Sequence, residues 1–394
     1  MPRSQPTRVL ISGASIAGPT LAYWLARAGF APTIVEQHPE PRPGGNGVDL
    51  RGGALDVIES MGLLPTLRGL ATDIAELAFV DARGRRVGGI PIGALSDPGD
   101  LEVMRGDLAA VLHRATADDV EYRFGETITA LPTASGTTPT ESPVSVTFSS
   151  GEQREFDLVI GADGLHSNVR RLAFGPASVG AHPLGFAFAT ATVPSDIGAN
   201  RTVTLYNTPG HAAGISRSGN HPYGTAFFAF RTARDQEIPR DADAQRALLR
   251  GEFRDGGWET RALLDAATAD PTFYLDAITQ MRLRSWAVGR VGLVGDAAYC
   301  ATLLSGAGAT LAIEGAHRLA AELAVGDSYP TAFARYETAM RPTVRARQRS
   351  VTTAGALLIP GSDTAIWLRN RLTRVMALGP IAARVFRPGS PGAA

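Results

Sequence analysis

The spacing of apolar positions predicts the first elements. A run Val9-Leu10-Ile11, a glycine turn, an apolar stripe at Leu21, Trp24, Leu25 and Ala28, and then Thr33-Ile34-Val35-Glu36 predict strand, helix and strand. Pro19 suits the first helical turn and Gly29 its end, so local chemistry agrees with the periodicity at both boundaries. Further on, strand-like residues 121–129 and the alternating Val144-Ser145-Val146-Thr147-Phe148 flank a Ser-, Thr- and Pro-rich stretch, 133–143, expected to be an exposed hairpin tip. Asp157-Leu158-Val159-Ile160 reads as a buried strand. From about 176 to 284 the pattern turns aromatic and β-prone, as in Val203-Thr204-Leu205-Tyr206 and Phe227-Phe228-Ala229-Phe230. Another buried strand, Val291-Gly292-Leu293-Val294, returns the chain to its first pattern. Long helices are predicted over 311–323 and from 329 to about 351. Residues 363–378 place Ile366, Leu368, Leu372, Val375 and Met376 among arginines, an amphipathic helix docked on the body.

This order predicts an α/β protein. A Rossmann-like nucleotide-binding domain, residues 1–175 and 285–350, is split in sequence by an inserted β-sheet substrate domain, 176–284, and followed by a C-terminal helical segment, 351–394.

Composition narrows the chemistry. Acidic and basic residues balance at 38 each, so no global basic field exists to hold nucleic acid or an anionic membrane. Every basic residue is arginine, which removes any mechanism needing a Schiff-base lysine, a P-loop lysine or a lysine-borne oxidant. The single Cys300 and seven scattered histidines offer no metal-ligand spacing, so no metal is expected. With no leader pattern and no apolar run able to span a bilayer, a cytoplasmic protein is expected.

Gly13-Ala14-Ser15-Ile16-Ala17-Gly18 falls between a strand and a helix, where glycines allow a tight turn and let backbone approach a pyrophosphate at the helix N-terminus. Ser15 replaces the middle glycine and can donate its hydroxyl to a phosphate. Glu36 ends the second strand 23 positions after Gly13, close to the spacing of about 20 at which a carboxylate meets an adenosine ribose. At Gly306-Ala307-Gly308 a helix start would aim backbone N–H groups and a positive dipole end at a neighbouring acceptor. This arrangement suits the negative charge that a reduced flavin develops at its pyrimidine edge.

Two more segments, Asp157-Leu-Val-Ile-Gly161-Ala-Asp163-Gly164-Leu-His-Ser167-Asn-Val-Arg170 and Gly292-Leu-Val-Gly295-Asp296-Ala-Ala-Tyr299, join that turn and Glu102-Val-Met-Arg105-Gly-Asp-Leu108. Together they resemble the group A flavoprotein monooxygenases, the relatives of para-hydroxybenzoate hydroxylase and the tetracycline-inactivating monooxygenases, over about residues 7–347. The resemblance implies non-covalent FAD, with NAD(P)H as a transient reductant and O2 as co-substrate. It also implies that Asp296 bonds the ribityl or phosphate region and that Arg105 contacts the cofactor. Asp163 and Arg170 would belong to a segment serving both dinucleotides. The substrate would be a small cyclic or aromatic compound, such as a polyketide or antibiotic, and the reaction a hydroxylation or other oxygenation.

This sequence departs from the family where prolines usually precede the paired glycines and Gln often separates them. It has Ala301, Leu303 and Ala307 instead, and a looser loop is expected. Cys300 beside it is expected to be a buried, inert thiol. Tyr206, Phe227, Phe228 and Phe230 are candidate substrate contacts, although alternation sends half of any strand into the core. No acid–base dyad or nucleophile is visible, so no catalytic side chain is assigned. The residues leave open a non-redox cyclase or isomerase of the same fold and a non-catalytic binding protein.

Overall fold

The computed structural model describes residues 6–41, 44–131, 142–175, 180–194, 196–349 and 351–376. Most of the stretch expected to form a hairpin tip lies outside them, as does the C-terminal part of 351–394.

The nucleotide fold is a six-stranded sheet in the order β17-β18-β11-β1-β2-β7. β1 (Arg8–Ser12) runs parallel to β2 (Ala31–Glu36) and to β11 (Leu158–Gly161). β7 (Glu121–Phe124) and β18 (Val291–Leu293) extend the sheet in parallel, and the short β17 (Ala287–Val288) closes it antiparallel. Val9, Leu10, Ile11, Leu158, Val159 and Ile160 are fully buried. A parallel strand covered on both faces needs such an unbroken apolar run. α1 (Ala17–Arg27) and α9 (Gly308–Ala324) pack on each other over one face, with α10 (Tyr329–Arg349) behind α9. α2 (Gly53–Ser60), α3 (Leu64–Gly69) and α4 (Arg105–Arg114) fill the side next to a two-stranded ribbon of β3 (Gly47–Leu50) and β6 (Leu101–Met104). β8 (Ile128–Ala130), β9 (Val144–Phe148) and β10 (Gln153–Phe156) form a small sheet beside them. α5 (Asn168–Phe174) follows β11, and α8 (Asp296–Tyr299) follows β18.

The second sheet has seven strands in the order β16-β12-β15-β14-β13-β4-β5. Five come from the expected insertion: β12 (Ala181–Pro194), β13 (Thr202–Thr208), β14 (His211–Arg217), β15 (Tyr223–Arg231) and β16 (Tyr274–Met281). The other two, β4 (Glu76–Val80) and β5 (Arg86–Pro91), come from the first half, with β4 pairing in parallel with β13. The boundary at 176 therefore does not separate the layers. Strand pairing across a long sequence gap leaves no local trace in the hydrophobic pattern.

One side of this sheet is covered by α6 (Ala242–Glu252) and α7 (Thr260–Ala269), with Ala187, Ala189 and Ala191 beneath Leu249, Phe253 and Leu263. The other side carries Leu77, Phe79 and Leu205, joined by Phe186, Phe188 and Phe227, and by Leu358 of α11 (Val351–Leu358). α12 (Asp363–Met376) lies along β5 and β13. It is held by Arg369, only 6% exposed, whose Nη1 donates to Asn207 Oδ1 at 2.8 Å and to the Leu357 carbonyl at 3.1 Å. Its guanidinium stacks 3.8 Å from the centre of the Phe79 ring, and burial lowers its pKa to about 10, which leaves it charged.

Tyr299 shows how tightly the nucleotide domain is packed. Its ring lies against Trp286, its hydroxyl accepts from Tyr336 at 3.1 Å, and a Cβ on Gly315 of α9 would sit 1.9 Å from that oxygen. In an open helix Gly→Ala would stabilise by about 0.5–1 kcal/mol. Here the sign should reverse: Gly315→Ala is expected to cost about 1–3 kcal/mol by overpacking. The cost should show as a lower urea midpoint at unchanged slope and shrink in a Tyr299→Phe background. An equal or higher midpoint for Gly315→Ala would rule the contact out.

Candidate cofactor site

Three separate segments meet at the turn after β1. A Cβ on Gly13, whose φ is +113°, would stand 2.4 Å from the Ala162 carbonyl oxygen, at the start of the Asp163 segment. One on Gly18 would stand 1.9 Å from the Gly13 carbonyl oxygen, and one on Gly295 would come 3.1 Å from Ala17 Cβ. Arg105 reaches the turn from α4, where its Nη1 lies 3.4 Å from Ser15 Oγ. Glu36 folds back over the turn, accepting from the Ala14 N–H and the His38 N–H at 3.0 Å each. Gly13, Ser15, Ala17, Gly18, Glu36, Arg105, Asp163 and Asp296 thus belong to one constellation. α1 starts there with no side-chain cap and no acidic residue in its first turn, so among the described residues no side chain occupies its first N–H groups.

Asp163 and Arg170 have structural partners. Asp163 accepts from Ser167 Oγ at 2.5 Å and from the N–H groups of Asn168 and Val169 at 2.8 and 3.0 Å, which ties the start of α5 to the turn. Burial raises its pKa, and these hydrogen bonds oppose the rise. Arg170 donates to the Ala297 carbonyl at 2.8 Å and the Leu165 carbonyl at 2.5 Å, fastening the second motif to the third. Asp296 opens α8 at a position that water reaches. The protein packed around its other sides raises its pKa by burial, and a hydrogen bond with the Cys300 thiol opposes that. Burial foremost, then the Asp296 charge, push the Cys300 thiol well up, so it stays protonated and unreactive at neutral pH.

The loop from Cys300 to Gly308 differs from the loose segment expected of it. Ser305 N–H and Oγ both donate to the Thr302 carbonyl, at 3.1 and 2.7 Å, and Ala307 N–H donates to Ser305 Oγ at 3.1 Å. The Cys300 carbonyl accepts from Met281 N–H at 3.0 Å and Gln348 Nε2 at 3.2 Å. These hydrogen bonds pin the loop at Thr302, Ser305 and Ala307. Thr302 takes φ +97°, a conformation that costs a β-branched residue about 1–3 kcal/mol and persists only where neighbours enforce it. Beyond it, Gly306 turns at φ +59°, Ala307 is buried, and α9 begins without a side-chain cap, with nothing within 4 Å of a Cβ placed on Gly308. Backbone alone faces that space.

Of the four aromatic candidates, only Phe227 looks towards this loop system. It lies opposite Thr190, whose hydroxyl donates to Asn46 Oδ1 at 2.7 Å, and the Asn46 carbonyl accepts Arg105 N–H at 3.0 Å. Phe188, on the same face, stacks with Phe227 at 6.4 Å. Phe228 and Phe230 point the other way, fully buried against Phe253 beneath α6 and α7. Tyr206 shares that side, opposite Ala213, with its hydroxyl 3.0 Å from where a Cβ on Gly257 would be. The period of two is what splits them. Asn46, Asp49, Phe188 and Thr190 join the site without having been singled out in the sequence. The Gly44-Gly45-Asn46-Gly47 cluster was the available signal for the first two.

The sequence pattern of the family described as FAD binding domain matches residues 6–350. The chain belongs to the FAD binding domain family. A flavin-dependent monooxygenase of Legionella longbeachae is 36% identical over 350 residues, covering 88% of each chain. An uncharacterized protein of Mycobacterium tuberculosis is 41% identical over 345 residues, 86% of this chain and 91% of that protein. The crystal structure of tetracycline destructase Tet(51) superposes with a TM-score of 0.83 at 32% identity, over 98% of this chain and 100% of that one. The fit of FAD to this member rests on its own atoms: the glycine cradle, the uncapped starts of α1 and α9, the Glu36 acceptor and the open Gly308. Among the described residues no helix is long and apolar enough to cross a membrane, and no group of His, Cys, Asp or Glu is placed to hold a metal.

Two substitutions should separate binding from scaffolding. Glu36→Arg puts a cation where ribose hydroxyls need an acceptor and should weaken FAD binding about tenfold or more, read by titrating apoprotein with FAD. Asp163→Ala removes the acceptor of the first two N–H groups of α5, beside the Ser167 cap, and should lower stability by about 1–2 kcal/mol, with FAD affinity changing less than it does in Glu36→Arg. Equal FAD affinity in Glu36→Arg and wild type would show that Glu36 serves only the turn.

Proposed function

We propose that this FAD-dependent monooxygenase takes hydride from NAD(P)H, binds O2 and oxygenates a small cyclic or aromatic compound held between its two layers. The observation that carries the reading is the meeting of Gly13–Gly18, the Asp163 segment and Gly295–Asp296 at one turn, across from the sheet face bearing Phe188 and Phe227. FAD, when bound, supplies the redox chemistry. The protein's part is to hold and orient. Uncapped N–H groups of α1 receive the pyrophosphate, Glu36 the ribose, and Asp296 with Arg105 the middle of the cofactor. Backbone at Gly306–Gly308 meets the flavin's polar edge.

Phe188, Phe227 and Thr190 would form the opposite wall, two apolar rings and one hydroxyl, and Leu303 projects from the loop at 47% exposure. Such a wall suits a flat, largely apolar molecule and helps exclude water from the reacting centre. That Tet(51) is a tetracycline destructase supports a polycyclic antibiotic or polyketide as the substrate class. Among the described residues the single parallel sheet with one glycine turn is committed to FAD, so the nicotinamide would bind transiently.

The deciding measurement is NAD(P)H and O2 consumption by the FAD-loaded protein, stimulated by aromatic polycycles and accompanied by oxygenated product. Substrate converted without NAD(P)H oxidation would indicate a non-redox enzyme instead. The loop hydrogen bonds make a sharper prediction. Ser305→Ala removes the two side-chain links, to Thr302 and from Ala307, leaving only the backbone bond to Thr302, and should raise peroxide released per NAD(P)H consumed about threefold or more, by loosening the loop that excludes water. Leu303→Pro should not restore coupling in that background, because Thr302, the residue before it, stands at φ +97°, away from the φ of about −120° that a pre-proline residue adopts. Unchanged peroxide in Ser305→Ala would mean that the loop is held some other way.

A further inference from the structure

The end of β3 sets a group of charges against the Gly306 turn. Asp49 Oδ2 stands 2.8 Å from where a Cβ on Gly306 would lie, and Arg51 Nη2 pairs with the same oxygen at 2.9 Å. Arg51 Nε also lies 3.5 Å from Asp100 Oδ2. Directly across the β3–β6 ribbon from Asp49 is Glu102, whose carboxylate accepts from Thr72 Oγ1 at 2.7 Å. Two like charges facing each other across a strand pair repel. Burial, the largest influence, raises both carboxyl pKa values, and Arg51 opposes the rise in each. Thr310, in the first turn of α9, fixes the position of the group: its hydroxyl donates to the Asp49 carbonyl at 3.1 Å and accepts Arg51 N–H at 3.2 Å.

A helix N-terminus presents about half a positive charge, whereas a bare carboxylate carries a full negative one. An unpaired Asp49 would therefore reverse the sign of the field at the turn where α9 begins. We infer that Arg51 is a positioning residue for the cofactor's redox poise, cancelling Asp49 so that the Gly306–Gly308 backbone stays net positive towards the pyrimidine edge of reduced flavin. This rests on the proposed seating of that edge at Gly306–Gly308. Arg51 acts through Asp49 and the local field, not by touching the reacting atoms.

The test is the two-electron midpoint potential of bound FAD, titrated spectroscopically against a reference dye in wild type, Arg51→Gln, Arg51→Lys and the double variant Asp49→Asn/Arg51→Gln. Arg51→Gln should shift the equilibrium at least tenfold towards oxidised flavin, about 30 mV for a two-electron couple. Arg51→Lys, which keeps the charge, and the double variant, which removes both charges, should stay within about threefold of wild type. A merely structural salt bridge would change stability in Arg51→Gln without moving the potential in step with the charge. An unshifted potential in FAD-loaded Arg51→Gln, or a double variant displaced as far as the single one, overturns the inference. If Arg51→Gln cannot hold FAD, Asp49→Asn alone should shift the equilibrium towards reduced flavin, and no shift there overturns it equally. Failure of wild-type protein to bind FAD would overturn the functional reading itself, and this inference with it.

Discussion

The close approach of three backbones around Gly13 governs the rest of the structure. β1 must end, reverse and feed α1 within a few residues, while the chain after β11 passes alongside at Ala162. A side chain at Gly13 or Gly18 would occupy space already filled by carbonyl groups. Because that contact exists, the Asp163 segment and the start of α8 are carried to the same point, and residues distant in sequence become one site. Among the described residues no side chain caps the α1 N–H groups, the feature on which the proposed pyrophosphate seat rests.

The second sheet solves a different problem. Its helix-covered face sets alanines on β12 beside Phe228 and Phe230 of the neighbouring β15, which lets helices approach closely and seals the two rings away. Its other face must remain partly open to meet the nucleotide domain, so Phe188 and Phe227 stay half-exposed and Thr190 reaches across to Asn46. Arg369 closes the far end with no carboxylate partner among the described residues, its charge spread over carbonyl and amide acceptors and an aromatic face. A guanidinium tolerates such burial because it is weakly hydrated and its planar fork finds several acceptors at once.

Charge and strain meet at the loop leading into α9. Thr302 holds a backbone conformation foreign to threonine, enforced by Ser305 on one side and the Cys300 segment on the other. Preorganisation there comes from hydrogen bonds of Ser305 and of the Cys300 carbonyl. The Asp49–Arg51 pair lies next to it, so the same few residues set both the shape of the turn and its electrostatic sign.

The sequence by itself determined the nucleotide fold, because β1, α1, β2, β11 and β18 carry their periodicity and glycine chemistry locally. It also supplied the residues that the structure brings together at the Gly13 turn, since each motif keeps its spacing within a few positions. Only the tertiary structure decided which faces of β13 and β15 meet the cofactor domain, since a period of two says that faces alternate and not which one is covered. It alone joined β4 and β5 to the second sheet, gave Asp163 its cap and Asp49 its place beside Gly306, and replaced an expected loose loop with a pinned one. The sheet order and the place of Asp49 depend on contacts between segments more than a hundred residues apart, while the Asp163 and Ser305 hydrogen bonds are local and follow from a backbone course that the side-chain pattern alone does not specify.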